Sequence, residues 1–265
     1  MENRVAVIML NYNMPEVIEQ NIAYIKRAVK WPVDIFLVEQ SDNDELLEKY
    51  DFRIDVTACA EISQNLHATQ GFNLCCRLAD AYGEYKLNGL EYFAYWVITT
   101  TGLLDPDGNR EDDCLSPCVE ALIQDDEIAI VQPAYRQDSI GFWEHLKDRG
   151  TGQLRRVHMI EHSAALFEGD WFREIGFMEP KIHIHGTDLW YSYLARMEGR
   201  KLCVHEGTWI KRFNNNMHDQ GRSFEGSPAA RTILARQSLE KFGEAMLGPS
   251  WEQRMFSEYA TPDMM

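Results

Sequence analysis

The period of apolar positions switches back and forth along the first hundred residues. Residues 4–10 (RVAVIML) are apolar after the first position and predict a buried strand. NYNMPE follows as a turn, with Pro15 placed where a helix can begin. Residues 16–30 (EVIEQNIAYIKRAVK) then space Val17, Ile18, Ile22, Ile25 and Val29 as one helical stripe. A second strand is expected at 33–38, closed by the polar turn Gln40-Ser41-Asp42-Asn43-Asp44. A third, short strand is expected at 54–59, a helix over 69–85 (TQGFNLCCRLADAYGEY), and a fourth strand over 92–98. Such alternation predicts a mostly parallel sheet with helices on its faces.

The later half continues the pattern less regularly. SPCVEALIQDD (116–126) reads as a helix, EIAIVQP (127–133) as a strand, and GDWFREIG (169–176) as a short helix stopped by Gly176. TDLWYSYLARMEG (187–199) is amphipathic, with Thr187 suited to the N-cap and Gly199 to the stop. RKLCVHEGTWIKRF (200–213) supplies one or two strands. No repeat or clean linker interrupts the chain, so the expected organisation is one α/β domain over 1–224 and a helical extension over 225–265.

Composition narrows the class. With 265 residues, 45% hydrophobic and 26% charged, the chain can bury a full core. The N-terminal apolar run is too short for a membrane span and has no small-residue cleavage site, so the expected location is the cytoplasm. Cys59, Cys75, Cys76, Cys114, Cys118 and Cys203 form no metal-binding spacing and are expected to be reduced, buried thiols. A net charge of −16 counts against nucleic acid and anionic membranes as partners. Two basic stretches, GQLRRV and WIKRF, are the places where an anionic ligand would meet positive charge.

One stretch poses a chemical question. The apolar run 92–98 ends in Thr99, Thr100 and Thr101, then Gly102. Ligands of open α/β sheets bind just beyond the carboxyl ends of the strands. A threonine run with no site at all is the plain alternative.

Five segments together resemble family-2-type GT-A glycosyltransferases. VAVIMLNYNMPEVIEQNI resembles their first strand, loop and helix; IFLVEQSDND is similar to the second strand and its acidic turn; NLHATQGFNLCCRLA resembles the asparagine–glycine start of a helix. HGTDLWYSYLARMEGRKLCV resembles the late acidic helix and the strand after it, and MHDQGRSF the histidine–glycine–serine segment that closes the domain. The resemblance covers roughly residues 4–224, most of the chain. It implies a nucleotide-sugar donor, with a UDP-sugar the first candidate, and transfer to a hydroxyl of a glycan or other acceptor with inversion. The enzyme would be a hexosyl- or pentosyltransferase. In that family the strand matching 92–98 ends in Asp-x-Asp, which holds a divalent metal against the leaving diphosphate. Thr99, Thr100 and Thr101 stand there instead, so the need for Mn²⁺ or Mg²⁺ is left open.

Three explanations compete. Donor binding is metal-free, with the threonines, backbone N–H groups and a cation such as Arg155 or Arg156 on the diphosphate. Alternatively the metal site shifts to Asp105 and Asp107, although Pro106 and Gly108 mark that segment as a turn. Or the chain binds a glycan or a partner without catalysis. The resemblance further implies Asp188 as general base, although the family's Glu-Asp pair just ahead falls on His185 and Gly186. It places Glu39 and Asp44 on the donor's base or ribose, with Asn11 and Tyr12 beside them. Asn73 matches a helix asparagine on the donor side, with a structural hydrogen bond favoured over a ligand contact. His218 is the metal candidate, and without carboxylate partners it would donate to phosphate. On the acceptor side stand Trp143, His162, His185 and Trp190, with His183 and Tyr191 near them. The rival activities are sugar transfer to a modified base of viral DNA and non-catalytic carbohydrate binding.

Overall fold

The computed structural model describes residues 3–42, 51–64, 66–139, 144–179 and 186–213, with 240, 244, 248 and 249. Its centre is the first apolar run. Strand β1 (Val5–Asn11) is buried along its whole length and pairs in parallel with β2 (Val33–Glu39) on one side and β4 (Ala94–Ile98) on the other. Ile8 lies between Phe36 and Val97. A strand covered on both faces needs apolar side chains at every position, which is why the run is continuous rather than alternating. Helix α1 (Pro15–Ala28), opened by proline as expected, buries Val17, Ile18, Ile22 and Ile25. Helix α2 (His67–Lys86) packs on β1 and β2.

Strand β3 (Ala58–Glu61) begins four residues later than the pattern predicts. A single 3₁₀ turn, Phe52–Ile54, occupies the start of the expected strand, with the Asp51 carboxylate accepting from the Arg53 N–H. Ile54 is 82% exposed, so its β-branched side chain gave a strand signal without a buried face.

In the second half, helix α3 (Ser116–Gln124) packs on β6 (Ile128–Tyr135). Strand β7 (Leu154–Val157) is followed by β8 (Ala164–Glu168), then α4 (Gly169–Glu174) and α5 (Thr187–Met197). RKLCVHEGTWIKRF becomes one strand, β9 (Lys201–Arg212), which departs from regular register opposite Pro133 and Ala134. The sheet order is β3-β2-β1-β4-β8-β6-β9-β5, where β5 is Gly102–Leu103, and β7 pairs with β9. Strand β8 is antiparallel to both β4 and β6; the pattern gave no sign of it, because AALFE carries two alanines and no β-branched residue. Helix α5 starts from Gly186 at φ 95°, so Gly186 and not Thr187 is its N-cap; Thr187 is buried in the first turn. The extension expected over 225–265 lies outside the described residues, four positions apart.

The cysteine expectation agrees with the structure: Cys59 is half-buried, the other five are buried, and none is in a disulfide. Burial pushes these thiols up, Cys114 to about 11. No helix among the described residues is long and apolar enough to cross a membrane.

Arg155 and Arg156 do not stand where diphosphate binding would need them. Both lie on β7, opposite Val204 and Cys203 of β9. Their partners on β9 lie eight and nine residues before Arg212, the β9 residue that pairs with Gly102. Arg155 is buried, with Nε donating to Glu206 at 2.6 Å and Nη1 to the His145 carbonyl at 2.5 Å. Its charge is consumed in holding the 144–147 segment onto β9. Arg156 is exposed on the same strand.

His145 on that segment is buried beside the Met159 carbonyl, 3.2 Å from Nε2. Burial pushes its imidazole down to about 3, against about 6.5 in an unfolded chain. The unfolded state therefore takes up a proton that the folded state refuses. This stability contribution is intact above pH 6.5 and is lost as pH falls toward 3, by about 1.4 kcal/mol per pH unit. Urea unfolding of the wild type from pH 7 to 5 is expected to show that decline. His145→Gln is expected to make it shallower, with the half-buried His205, shifted in the same direction, accounting for part of what remains.

Candidate active site

Six parallel strands, β1, β2, β3, β4, β6 and β9, end at one edge of the sheet, and the antiparallel β8 begins there. This brings Ser163, just before β8, against the threonines just after β4. The Thr99 N–H donates to the Ser163 carbonyl at 3.0 Å, and the Gly102 N–H turns back onto the Thr99 carbonyl at 3.1 Å. A Cβ at position 102 would stand 2.6 Å from the Ser163 carbonyl oxygen. Glycine follows the threonines because nothing larger lets the two backbones approach.

The side chains form one directed chain. Thr99 and Thr101 hydroxyls are 2.7 Å apart, Thr101 and Ser163 hydroxyls 3.0 Å, and Ser163 Oγ donates to Glu161 Oε2 at 2.8 Å. Each hydroxyl has one proton. Because Ser163 gives its proton to Glu161, Thr101 donates to Ser163 and Thr99 to Thr101. Glu161 also accepts from Arg212 Nε at 3.2 Å. Arg212 lies at the end of β9 opposite Gly102, and the next residue, Phe213, donates its N–H to the Thr101 carbonyl at 3.1 Å. Thr100 is half-buried between its neighbours. Glu161, Ser163 and Arg212 were not among the residues singled out from the sequence. The signal for Arg212 was the basic stretch WIKRF.

A second polar cluster joins the ends of β1 and β2. Buried Asn11 donates to Glu39 Oε2 at 2.6 Å and accepts from the Met14 N–H at 3.0 Å; Glu39 Oε1 accepts from the Ser41 N–H at 2.8 Å. Asn13, at φ 56°, donates its side-chain amide to Asp42 at 2.6 Å, and the Tyr12 hydroxyl reaches the same carboxylate at 3.1 Å. The Asn13 hydrogen bond holds the Asp42 carboxyl below its ordinary range, with Tyr12 adding to it. Asn11, Tyr12 and Glu39 are thus brought together as expected.

Asn73 acts as a clip. Its Nδ2 donates to the Met178 carbonyl and its Oδ1 accepts from the Met178 N–H, both at 2.8 Å. Asp105 and Asp107 do not form a displaced metal site. Asp105 is buried against Arg27 at 2.5 Å and accepts from the N–H groups of Asn109 and Arg110, whereas Asp107 pairs with Arg136 at 2.6 Å. The segment is a turn, with Gly108 at φ 75°.

Helix α5 runs back from the carboxyl edge, because β9, which follows it, starts at the opposite edge. Asp188 is therefore at that edge, half-buried in the first turn, with Oδ1 accepting from the Leu189 N–H at 2.9 Å. Ser192 ties the helix to the segment that carries Glu161 and Ser163: its Oγ accepts from the Ile160 N–H at 3.1 Å. His162 lies edge-on to Tyr191, with ring centroids 6.4 Å apart, and its Nδ1 is buried without a hydrogen-bond partner. Tyr191 is fully buried among Phe167 and Phe172, which removes it as a sugar-stacking platform. Trp190 is half-buried and stacks on Tyr193 at 5.8 Å. Asp44, Trp143, His183, His185 and His218 lie outside the described residues.

The donor set at the threonine edge does not suit a divalent metal. Such hard cations take charged or carbonyl oxygens, and the carboxylate in this chain, Glu161, is already paired with Arg212. Among the described residues no three His, Cys, Asp or Glu side chains converge as a metal site. A cavity of about 500 Å³ lined by Ile25, Val33, Ile35 and Thr57 opens at the amino end of β2, away from this edge. A cleft of about 300 Å³ runs along α2 past Leu66, Gln70, Asn73 and Arg77.

Neither a protein-family model nor a curated protein sequence matches the chain. Solved structures do. The S. aureus protein TarS superposes over 98% of this chain and 43% of its own, with a TM-score of 0.57 and 10% identity. GalNAc-T7, solved with UDP, GalNAc and Mn²⁺, matches over 96% of this chain and 54% of its own, with a TM-score of 0.60 and 10% identity. The mannosyltransferase PcManGT from Pyrobaculum calidifontis, solved with GDP-Man and Mn²⁺, matches over 100% and 77%, with a TM-score of 0.55 and 13% identity. The chain has the GT-A fold of these proteins and spans about half the length of the first two.

Two substitutions test the local geometry. Gly102→Ala forces the Ser163 carbonyl away and is expected to cost about 1–3 kcal/mol in urea unfolding. Asn73→Ala is expected to destabilise by about 1–3 kcal/mol, because two backbone groups of Met178 lose their partner. If Asn73 instead contacts a ligand, nucleotide affinity falls while stability is kept.

Proposed function

We propose that the chain is a glycosyltransferase that moves a sugar from a nucleoside-diphosphate sugar to a hydroxyl acceptor. One observation carries the reading. A buried acid–amide pair, an arginine and a half-buried carboxylate at a helix start gather at one sheet edge in the GT-A fold. The solved structures of that fold that hold UDP or GDP-Man support a nucleotide-sugar donor for this chain too.

Each residue then has a role. Glu39, oriented by Asn11 and the Ser41 N–H, sits where a carboxylate can accept hydrogen bonds from a base N–H or from ribose hydroxyls. Tyr12 and Asp42 border the same ligand. Asp188 is the general base. It takes the proton of the acceptor hydroxyl as that oxygen bonds to the anomeric carbon. The bond from that carbon to the diphosphate oxygen breaks, and its electron pair leaves on the nucleoside diphosphate. The sugar is inverted. Trp190, stacked on Tyr193, and His162 flank the acceptor side of the same edge.

Asp188→Asn keeps the helix start and removes the base. Turnover of the sugar donor is expected to fall by about 10²–10⁴, with the dissociation constant of the matching nucleoside diphosphate unchanged. Retained turnover would remove Asp188 as the base. A wild type that binds nucleotide and glycan but never turns over would favour the non-catalytic carbohydrate-binding reading.

A further inference from the structure

Helix α2 begins at the functional edge and runs away from it. The Leu66 N–H, just before the helix, donates to Gln40 Oε1 at 3.0 Å, and Gln40 directly follows β2. Gly71 allows the close seat, since a Cβ there would stand 2.6 Å from the Leu10 side chain. On another flank Asn73 clips Met178, in the segment that leads to Asp188. Leu66 and Asn73 line the cleft of about 300 Å³, together with Gln70, Leu74 and Arg77.

Arg77 is the one charged residue among those that line the cleft. It is exposed and makes no hydrogen bond or ion pair with any described residue, and the same holds for Gln70. Asp80, one turn further on, is committed to the Tyr95 hydroxyl. Glu84 lies two turns beyond Arg77, about 10 Å along the axis and past the Debye length of about 8 Å. In a chain of net charge −16, this cleft is a local reversal of sign. The pattern continues past the cleft. Gln70, Leu74, Arg77, Ala81 and Tyr85 recur at helical spacing and share one face of α2. Tyr85 is 81% exposed, a large ring presented to solvent. From Gln70 to Tyr85 the face runs about 22 Å.

We propose that this face of α2 binds an acidic glycan, a chain of sugars carrying carboxylate or phosphate groups, and that this glycan is the acceptor. The acceptor role rests on the glycosyltransferase reading above. Arg77 pairs with the anionic group through its planar fork of donors. The Gln70 amide meets sugar hydroxyls, and Leu66, Leu74 and Tyr85 take the apolar faces of the rings. Only an oligosaccharide spans the distance from the cleft to Tyr85.

The test presents the whole chain to an array of neutral, uronate-bearing and phosphate-bearing oligosaccharides, followed by calorimetric titration of those that bind. The wild type is expected to hold acidic members above neutral ones of equal length, the two acidic arms telling carboxylate from phosphate. Arg77→Gln is expected to weaken that binding at least tenfold. Tyr85→Ala is expected to weaken long members and spare short ones, and Arg156→Gln, at an exposed cation on β7, to change nothing. Arg77 and Tyr85 are exposed, so both variants keep the fold. Binding of neutral glycans alone, binding of none, or acidic-glycan affinity that survives Arg77→Gln overturns the proposal. Turnover of UDP- and GDP-sugars is followed in parallel. Turnover onto a neutral glycan, unchanged by Arg77→Gln, overturns this inference and leaves the glycosyltransferase reading standing. Acidic-glycan binding through Arg77 with no nucleotide bound and no turnover overturns that reading, and the acceptor role with it.

Discussion

Strand β8 runs against its neighbours, and the candidate site exists because of that reversal. Had it been parallel to β4, its carboxyl end, Glu168, would lie at the functional edge. Running antiparallel, it delivers its amino end there, and with it Glu161, His162 and Ser163. The bond from Thr99 N–H to the Ser163 carbonyl then closes the gap between the strands, and Gly102 is the residue that permits the closure. Backbone hydrogen bonding thus sets the positions of side chains that come from three distant parts of the sequence.

A second arginine, Arg110, fixes the other side of β9. It is buried, donates to both oxygens of Asp112 and to the Leu104 carbonyl, and stacks on Trp209 at 4.1 Å. Tyr24 of α1 reaches the Asp112 carbonyl at 2.6 Å and takes the Cys114 N–H at 3.0 Å. These contacts tie the 104–114 segment, α1 and β9 together. In a chain of net charge −16, buried arginines are placed structurally, Arg110 and Arg155 among them.

In the amino-terminal half β1, β2 and β4 were legible in the sequence because they are largely buried and read as apolar runs, whereas the half-buried β3 was placed four residues too early. The helices α1, α2, α3 and α5 were legible from their stripes. Strands β7 and β8 were not: LRRV places two charged residues in a strand, and AALFE has no β-branched residue. At the site, Asn11, Tyr12 and Glu39 could be anticipated because they terminate recognisable strands. Glu161 and Ser163 could not, since their importance comes from pairing across 62 residues between Thr101 and Ser163. Of the two basic stretches, adjacency of arginines favoured GQLRRV, whereas topology favours WIKRF. A pair of charges in sequence says nothing about which edge of the sheet it reaches.

The pairing of β4 with β8 also has a consequence for synthesis. While the chain grows from its amino terminus, β1, β2, β3 and β4 can assemble as soon as residue 98 is available. The outer edge of β4 then stays unpaired until residues 164–168 emerge. That edge belongs to AYWVI, an uncharged strand with high β-propensity, the kind that templates association between nascent chains. For the ribosome and its chaperones, the vulnerable interval of this protein is the time taken to translate residues 99 to 168.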